Sequence, residues 1–212
     1  MSGPADKDGR TATTRIKCCG MFRQEDMAAV NRALPDYCGF VVDFPRSHRS
    51  VTPQKATQLA GLLDPRVRAV AVVVDQPLEA LVALAGTGAF AALQLHGHET
   101  PADVRAAQAA TGLPVIRAFK VRGTDDLLAA RESPADLVLL DNGQGTGQSF
   151  DWSLVAGFDR PFMLAGGLAP ANVARAIHEV APWGVDLSSG LETNRLKDPD
   201  KIYAAVAAVR SA

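Results

Sequence analysis

Short apolar stretches recur along the chain at nearly regular intervals. Eight of them have the length of a β-strand, and they cover residues 15–20, 37–42, 69–74, 91–96, 114–119, 137–141, 162–165 and 184–187. The run at 69–74 is apolar throughout, a pattern typical of a strand that is buried on both faces of a parallel sheet. The repeated pattern therefore predicts eight parallel strands.

A segment with helical character follows each apolar stretch. The predicted helices cover residues 24–33, 52–63, 77–85, 101–110, 124–131, 170–180 and 199–210, with a shorter turn near 151–155. Thr52 followed by Pro53 is a favourable helix start, and Gly86 and Gly112 mark helix ends. Regular alternation predicts a parallel sheet, and eight units predict a closed (β/α)8 TIM barrel. An open doubly wound sheet is the alternative, although it usually has fewer strands.

The barrel is predicted to be a single domain over residues 14–212. Residues 1–13 are polar and lack the apolar core of a signal peptide, so we expect a disordered tail there. The net charge of −1 gives no support for a nucleic-acid or membrane partner. Three cysteines, two of them adjacent, do not make a disulfide framework, so we expect a reducing, cytoplasmic location.

Four chemically versatile side chains lie at or after predicted strand ends: Cys19, Arg49, His96 and Asp141. In a (β/α)8 barrel the active site lies where the carboxyl ends of the strands meet the following loops. Each residue alone has an ordinary explanation, such as a turn for Asp141 or a solvated loop for Arg49. Their shared position at one end of the barrel favours an active site.

The first strand places Lys17 and Cys19 on the same face, which we expect to be the barrel interior. A nearby cation favours the thiolate form of a cysteine, the form that acts as a base. A buried lysine needs a partner, and Asp186 in the last strand is the expected one once the barrel closes. Its charge limits the effect of Lys17 on the thiol. Cys18 is expected to point outward, against the helices.

Glycine-rich loops follow the last two predicted strands. Backbone N–H groups in such loops, together with the start of a short helix, commonly bind phosphate in barrels. The predicted phosphate-binding residues are Gly166, Gly167, Ser188, Ser189 and Gly190, with further N–H donors from Gly145 and Gly147. The alternative is that these glycines only turn the chain.

His96 and His98 alternate at a strand end, a spacing that can hold zinc in barrel enzymes. Such a site needs further ligands, and the fifth, sixth and seventh strand ends offer no histidine. We therefore expect no metal and no cofactor, and a small phosphorylated molecule as the ligand. Monomer and homodimer are both open.

Several motifs occur in the order of one known barrel family. They are K-C-C-G at 17–20, G-F at 39–40, S-H-R at 47–49, Q-L-H-G-H-E at 94–99, G-T-G at 145–147 with F-D-W at 150–152, A-G-G-L-A-P-A-N-V at 165–173 and V-D-L-S-S-G-L-E at 185–192. With these motifs the chain resembles phosphoribosylanthranilate isomerase of tryptophan biosynthesis over nearly everything after the tail. It departs from that family at Gln144 and Arg195, where glycine is usual.

The resemblance implies an Amadori rearrangement of N-(5-phosphoribosyl)anthranilate to the corresponding aminodeoxyribulose phosphate. Cys19 would be the general base that removes the C2 proton of the ribose, and Asp141 the general acid that protonates the ring oxygen. Arg49 would hold the anthranilate carboxylate, and His96 would contact the substrate.

Two alternatives to this function are open. A related histidine-pathway isomerase performs the same type of rearrangement, but it carries aspartate at the end of the first strand instead of a cysteine. A barrel that binds a phosphorylated ligand without catalysis is the other alternative.

Overall fold

The computed structural model describes residues 13–141 and 152–212. The parallel strands in these ranges are Arg15–Cys19 (β1), Tyr37–Val42 (β2), Ser50–Val51 (β3), Arg68–Val73 (β4), Ala92–Leu95 (β5), Val115–Lys120 (β6), Leu137–Asp141 (β7), Phe162–Leu164 (β8) and Gly184–Leu187 (β9). β3 is a short addition to β2, and the other eight form a closed barrel because β1 pairs with both β2 and β9. The (β/α)8 prediction is confirmed, and the open doubly wound sheet is wrong.

Seven α-helices are described: Gln24–Ala33 (α1), Pro53–Ala60 (α2), Leu78–Gly86 (α3), Pro101–Thr111 (α4), Thr124–Glu132 (α5), Val173–Val180 (α6) and Pro199–Arg210 (α7). The turn predicted near 151–155 contains a 3₁₀ helix over Trp152–Val155. Thr52 caps α2 as predicted, since its side chain accepts a hydrogen bond from the N–H of Lys55. No helix in the described ranges is both long and apolar enough to span a membrane.

α6 begins later than predicted because a side chain holds the preceding residues in a turn. The amide of Asn172 accepts a hydrogen bond from the N–H of Ala169 and donates one to the carbonyl of Gly167. This arrangement competes with helix for the backbone groups, as asparagine often does at helix starts. The loop after β8 therefore keeps a fixed, non-helical shape up to Val173.

Alternating side chains divide the apolar residues into two layers. Cys18 lies in the outer layer between the sheet and the helices, as predicted, whereas Cys19 lies in the inner layer with residues such as Val72 and Leu139. Each fully buried large aliphatic side chain in these layers contributes about 1.5–3 kcal/mol. The two layers fix the register, because a shift by one residue would exchange Cys18 and Cys19 between them.

A β-hairpin that the apolar pattern did not predict follows β9. Its strands are Glu192–Thr193 (β10) and Leu196–Lys197 (β11), and a 3₁₀ helix over Ser189–Leu191 leads into it. Asn194 and Arg195 form the turn with φ angles of 51° and 64°. This left-handed conformation suits asparagine and glycine better than arginine.

Candidate active site

The strand ends at one mouth of the barrel surround a cavity of ≈ 240 Å³. Its lining includes most of the residues predicted from the sequence: Cys19, Arg49, His96, Asp141, Gly166, Gly167, Ser188 and Ser189. Gly190 does not line this cavity and is packed against the backbone of Leu168 and Ala169. Gly145, Gly147 and Gln144 lie outside the described residues, as does nearly all of the predicted tail.

A larger cavity of ≈ 530 Å³ lies on the outside of the barrel, between α2 and α3. Its lining is mostly apolar and includes none of the predicted site residues. The central cavity is the better candidate although it is smaller, because a thiol, two carboxylates, an imidazole and a guanidinium converge on it.

Cys19 ends β1 with its side chain in the barrel, where the residue is only 6% exposed. The neighbouring position on β2 is Gly39, and a Cβ atom there would lie 2.8 Å from the Cys19 sulfur and 3.0 Å from the Lys17 Nζ. Those distances are shorter than van der Waals contact. Gly39 therefore makes the space in which both side chains lie, a role that sequence reasoning did not assign to it.

The predicted pair of Lys17 and Asp186 is confirmed. The Lys17 Nζ donates to both carboxylate oxygens of Asp186, at 3.0 and 3.1 Å. Burial opposes the charge on Lys17, but Asp186 and Cys19 outweigh it and raise the pKa of the amine above its usual value. The barrel interior thus holds a buried ion pair next to the thiol.

The net effect on the Cys19 thiol is opposite to the expectation that Lys17 favours the thiolate. Burial raises the pKa of Cys19, and the charge of Asp186 raises it further. Lys17 lowers the pKa of Cys19 by charge and by a hydrogen bond, which is the predicted direction, but this contribution is the smaller one. In the ligand-free site the thiol is therefore protonated at neutral pH.

Asp141 ends β7, which lies across the barrel from β2 and three strands away from β1. Its Oδ2 lies 3.7 Å from the Nε2 of His96, and both side chains are partly exposed to the cavity. The other ring nitrogen of His96 lies 2.9 Å from the amide nitrogen of Gln94, which is fully buried in the barrel. Gln94 orients the imidazole, and its only sequence signal was its place in the Q-L-H-G-H-E motif.

Glycines give the loop after β8 its shape. Gly166 and Gly167 have φ angles of 90° and 66°, which other residues adopt only with strain. Their N–H groups donate to no acceptor within the described ranges. Ser188 and Ser189 follow β9 on the adjacent side of the same cavity.

Arg49 precedes β3 and reaches the cavity over Gly20. A Cβ atom at Gly20, whose φ is 75°, would lie 2.5 Å from the Cδ of Arg49. The guanidinium binds the carboxylate of Glu192 through Nε and Nη2. Burial would raise the pKa of Glu192, but hydrogen bonds from Arg49 and Lys197 lower it to about 2.

Comparison with known proteins decides the family. A family model described as N-(5'phosphoribosyl)anthranilate (PRA) isomerase matches residues 16–208. The chain belongs to the PRA isomerase family. It is 40% identical over 187 residues to the N-(5'-phosphoribosyl)anthranilate isomerase of Lacticaseibacillus casei (strain BL23), covering 88% of this chain and 90% of that protein.

Solved PRA isomerase structures have the same architecture. The chain is similar, with a TM-score of 0.81 and 32% identity, to a PRA isomerase in complex with reduced 1-(o-carboxyphenylamino)-1-deoxyribulose 5-phosphate, over 94% of this chain and 100% of that one. It is equally similar, with a TM-score of 0.82 and 32% identity over the same shares, to monomers made from the dimeric enzyme of Thermotoga maritima.

This PRA isomerase is accordingly an enzyme of tryptophan biosynthesis. Family membership decides against both a histidine-pathway isomerase and a barrel without catalysis. The family does not by itself say which side chains of this chain act in the reaction.

Proposed function

We propose that the rearrangement takes place in the central cavity, with Cys19 as the general base and Asp141 as the general acid. The observation that carries this proposal is that one thiol and one carboxyl group reach the same cavity from β1 and β7, which are separated by β9 and β8 around the barrel. A proton donor and a proton acceptor can then act on different sides of one small substrate.

The reaction uses each group in turn. Asp141 protonates the ring oxygen, the bond from C1 to that oxygen breaks, and the nitrogen lone pair forms a C1=N bond. This iminium group acidifies the C2 proton, which Cys19 removes in its thiolate form. The thiolate is the minor form at neutral pH, because burial and the charge of Asp186 raise the pKa of the thiol. The electron pair forms a C1=C2 bond and neutralises the nitrogen. The resulting enol becomes the C2 ketone when C1 takes up a proton and the C2 hydroxyl loses one, so substrate and product are isomers and no cofactor is needed.

Two anionic groups of the substrate bind at different parts of the cavity in this proposal. Arg49 binds the anthranilate carboxylate, for which a guanidinium is well suited. The phosphate binds to the backbone of Gly166, Gly167, Ser188, Ser189 and Gly190, with His96 as a further substrate contact. The N–H groups of Gly166 and Gly167, which donate to no acceptor among the described residues, support this assignment. The contribution of Gly145 and Gly147 stays a prediction.

A turnover assay on matched variants tests the roles of Cys19 and Asp141. The loss of PRA fluorescence is followed for Cys19→Ser and Asp141→Asn, with Cys18→Ser and the surface change Asp159→Asn as controls. Turnover falls by roughly two orders of magnitude or more in the first pair, the range of general acid–base catalysis, and stays near normal in the controls. Near-normal turnover in Asp141→Asn would remove Asp141 from the mechanism.

The proposal includes a single barrel domain over residues 14–212 and a cytoplasmic location. The free thiols of Cys18, Cys19 and Cys38 support a reducing compartment. Monomer and homodimer are both compatible with the proposed chemistry, since every proposed group comes from one chain.

A further inference from the structure

The contact between Arg49 and Glu192 uses one particular edge of the guanidinium. Nε lies 2.5 Å from Oε1 and Nη2 lies 2.8 Å from Oε2, so the side-on edge is occupied. Arg49 Nη1 makes no hydrogen bond with any residue in the described ranges. The second bidentate edge of Arg49, formed by Nη1 and the remaining N–H of Nη2, is available to a carboxylate in the cavity.

Further contacts hold the carboxylate of Glu192 in place. The Nζ of Lys197 lies 2.8 Å from Oε1 and also donates to the carbonyl of Ser188 at 2.9 Å. The Nε2 of His48 lies 3.4 Å from Oε2. Both Lys197 and Glu192 are nearly inaccessible to solvent, with side-chain exposures of 0% and 7%. These contacts keep the carboxylate of Glu192 in one position. It therefore orients Arg49 and does not move to compete with a bound ligand for the guanidinium.

The charges around Arg49 favour the binding of one more anion. Arg49 and Lys197 carry two positive charges, and Glu192 carries one negative charge. Burial and the charge of Arg49 lower the pKa of His48, so its imidazole is neutral at neutral pH although Glu192 opposes this shift. Arg49, Lys197 and Glu192 together then carry a net charge of +1, which matches a single carboxylate.

We propose that Glu192 is a positioning residue that turns the free edge of Arg49 towards the substrate carboxylate, with Lys197 holding Glu192 in place. This inference rests on the proposed role of Arg49 in binding that carboxylate. Glu192 then determines how strongly the enzyme prefers a substrate with an ortho-carboxylate over one without it. Gly20 contributes by letting the Arg49 side chain cross directly over the backbone.

Two stable ligands measure this preference directly. One is reduced 1-(o-carboxyphenylamino)-1-deoxyribulose 5-phosphate, and the other is the same compound without the carboxylate. Calorimetric titration gives the ratio of their dissociation constants for the wild type, Glu192→Gln and the surface control Glu179→Gln. Glu192→Gln reduces the preference for the carboxylated ligand roughly tenfold or more, as expected for a charged hydrogen bond. Binding of the ligand without the carboxylate changes by less than about twofold.

A general structural defect would weaken both ligands equally, and that result would overturn the proposal. Tighter binding of the carboxylated ligand to Glu192→Gln would overturn it as well, since Glu192 would then be an inhibitor of Arg49. Because Glu192→Gln removes the carboxylate that pairs with Lys197, Glu192→Gln/Lys197→Gln is measured in parallel. The double variant removes both buried charges, and it must lose the same preference for the carboxylated ligand. It provides the test if the single variant does not fold.

The variant Arg49→Met separates this inference from the proposed function. If Arg49→Met keeps the preference for the carboxylated ligand, the role of Arg49 itself is wrong. If Arg49→Met loses the preference but both Glu192 variants keep it, only the positioning role of Glu192 is wrong.

Discussion

The amino group of Lys17 and the carboxylate of Asp186 form a bidentate ion pair inside the barrel, on the face that also carries Cys19. The two charges act on the thiol in opposite directions, because Lys17 lowers the pKa of Cys19 and Asp186 raises it. Neither can be removed without exposing the other as an unpaired buried charge. The pair therefore couples the stability of the barrel to the reactivity of its thiol.

Removing one partner at a time shifts the reactivity of Cys19 in opposite directions. In Asp186→Asn the pKa of Cys19 falls, so alkylation by iodoacetamide begins at lower pH than in the wild type. In Lys17→Met it begins at higher pH. Each change also costs about 3–5 kcal/mol of stability. The rate of Cys19 labelling is measured against pH by mass mapping and compared with the rate in the wild type. Shifts of the same sign in both variants would contradict this account.

Gly39→Ala is expected to damage the site more than its size suggests. The added methyl group would lie 2.8 Å from the Cys19 sulfur, so the thiol must move. Overpacking of this kind costs about 1–3 kcal/mol, and a displaced base can lower turnover roughly 100-fold. Gly86→Ala is the matched control, because nothing lies within 4 Å of its Cβ position. Equal activity of the two variants would show that Gly39 does not define the space for Cys19.

Phosphate is expected to bind between the loops after β8 and β9. A crystal grown with inorganic phosphate or product should show the anion within hydrogen-bond distance of the N–H groups of Gly166, Gly167 and Ser189. Chemical shifts of these amides in solution should change during a phosphate titration, while those of the outer cavity near Ala83 should not. An anion found only elsewhere would refute the assignment.

Glu192 makes stability depend on acid pH. Its pKa is about 2 in the folded protein against an ordinary value of 4.5 for glutamate, so the folded state binds this proton less readily than the unfolded state. The associated stability, on the order of 3 kcal/mol, is present above the unfolded pKa and is lost as pH falls towards the folded one. The free energy of unfolding, measured with urea, should therefore fall less between about pH 5 and about pH 2 for Glu192→Gln than for Glu179→Gln. Identical acid dependence would contradict the prediction.

Arg195→Gly is expected to stabilise the protein. Arg195 is exposed in the turn between β10 and β11 with a φ of 64°, a conformation that costs a side chain about 1–2 kcal/mol. Glycine avoids this cost but loses about 0.5–1 kcal/mol of chain entropy, so the net gain is about 1 kcal/mol. Thermal unfolding measures it, and Asn194→Gly should gain less because asparagine tolerates this conformation. A lower midpoint for Arg195→Gly would show that the Arg195 side chain makes a stabilising contact.

The barrel was predictable because its strands and helices carry strong local signals. The boundaries of α1 and α7 were predicted to the residue, and the alternation along β1 was sufficient to place Cys18 and Cys19 in different layers. β3, β10 and β11 have two residues each, which is too short for any apolar period to appear. Their positions depend on long-range pairing.

The candidate site was predictable only as a set of residues. The ion pair of Lys17 and Asp186 follows from closing the barrel. The contact of Arg49 with Glu192 instead joins the loop before β3 to the hairpin after β9, and the sequence does not encode their relative positions locally. The net pKa direction of Cys19 depends on how completely burial outweighs one nearby cation. Burial of that degree is a property of the whole fold and has no local sequence signal.

The pairing of β1 with β9 has a consequence for how the protein is made. Lys17 and Asp186 are 169 positions apart, and Arg49 and Glu192 are 143 apart. A ribosome therefore produces Lys17 and Arg49 long before their carboxylate partners. Until β9 and the hairpin emerge, the growing chain carries an unpaired lysine on an unclosed sheet, the kind of intermediate that chaperones and proteases recognise. A chain that terminates before β9 thus lacks Asp186 and Glu192, so neither of these two ion pairs of the active site can form.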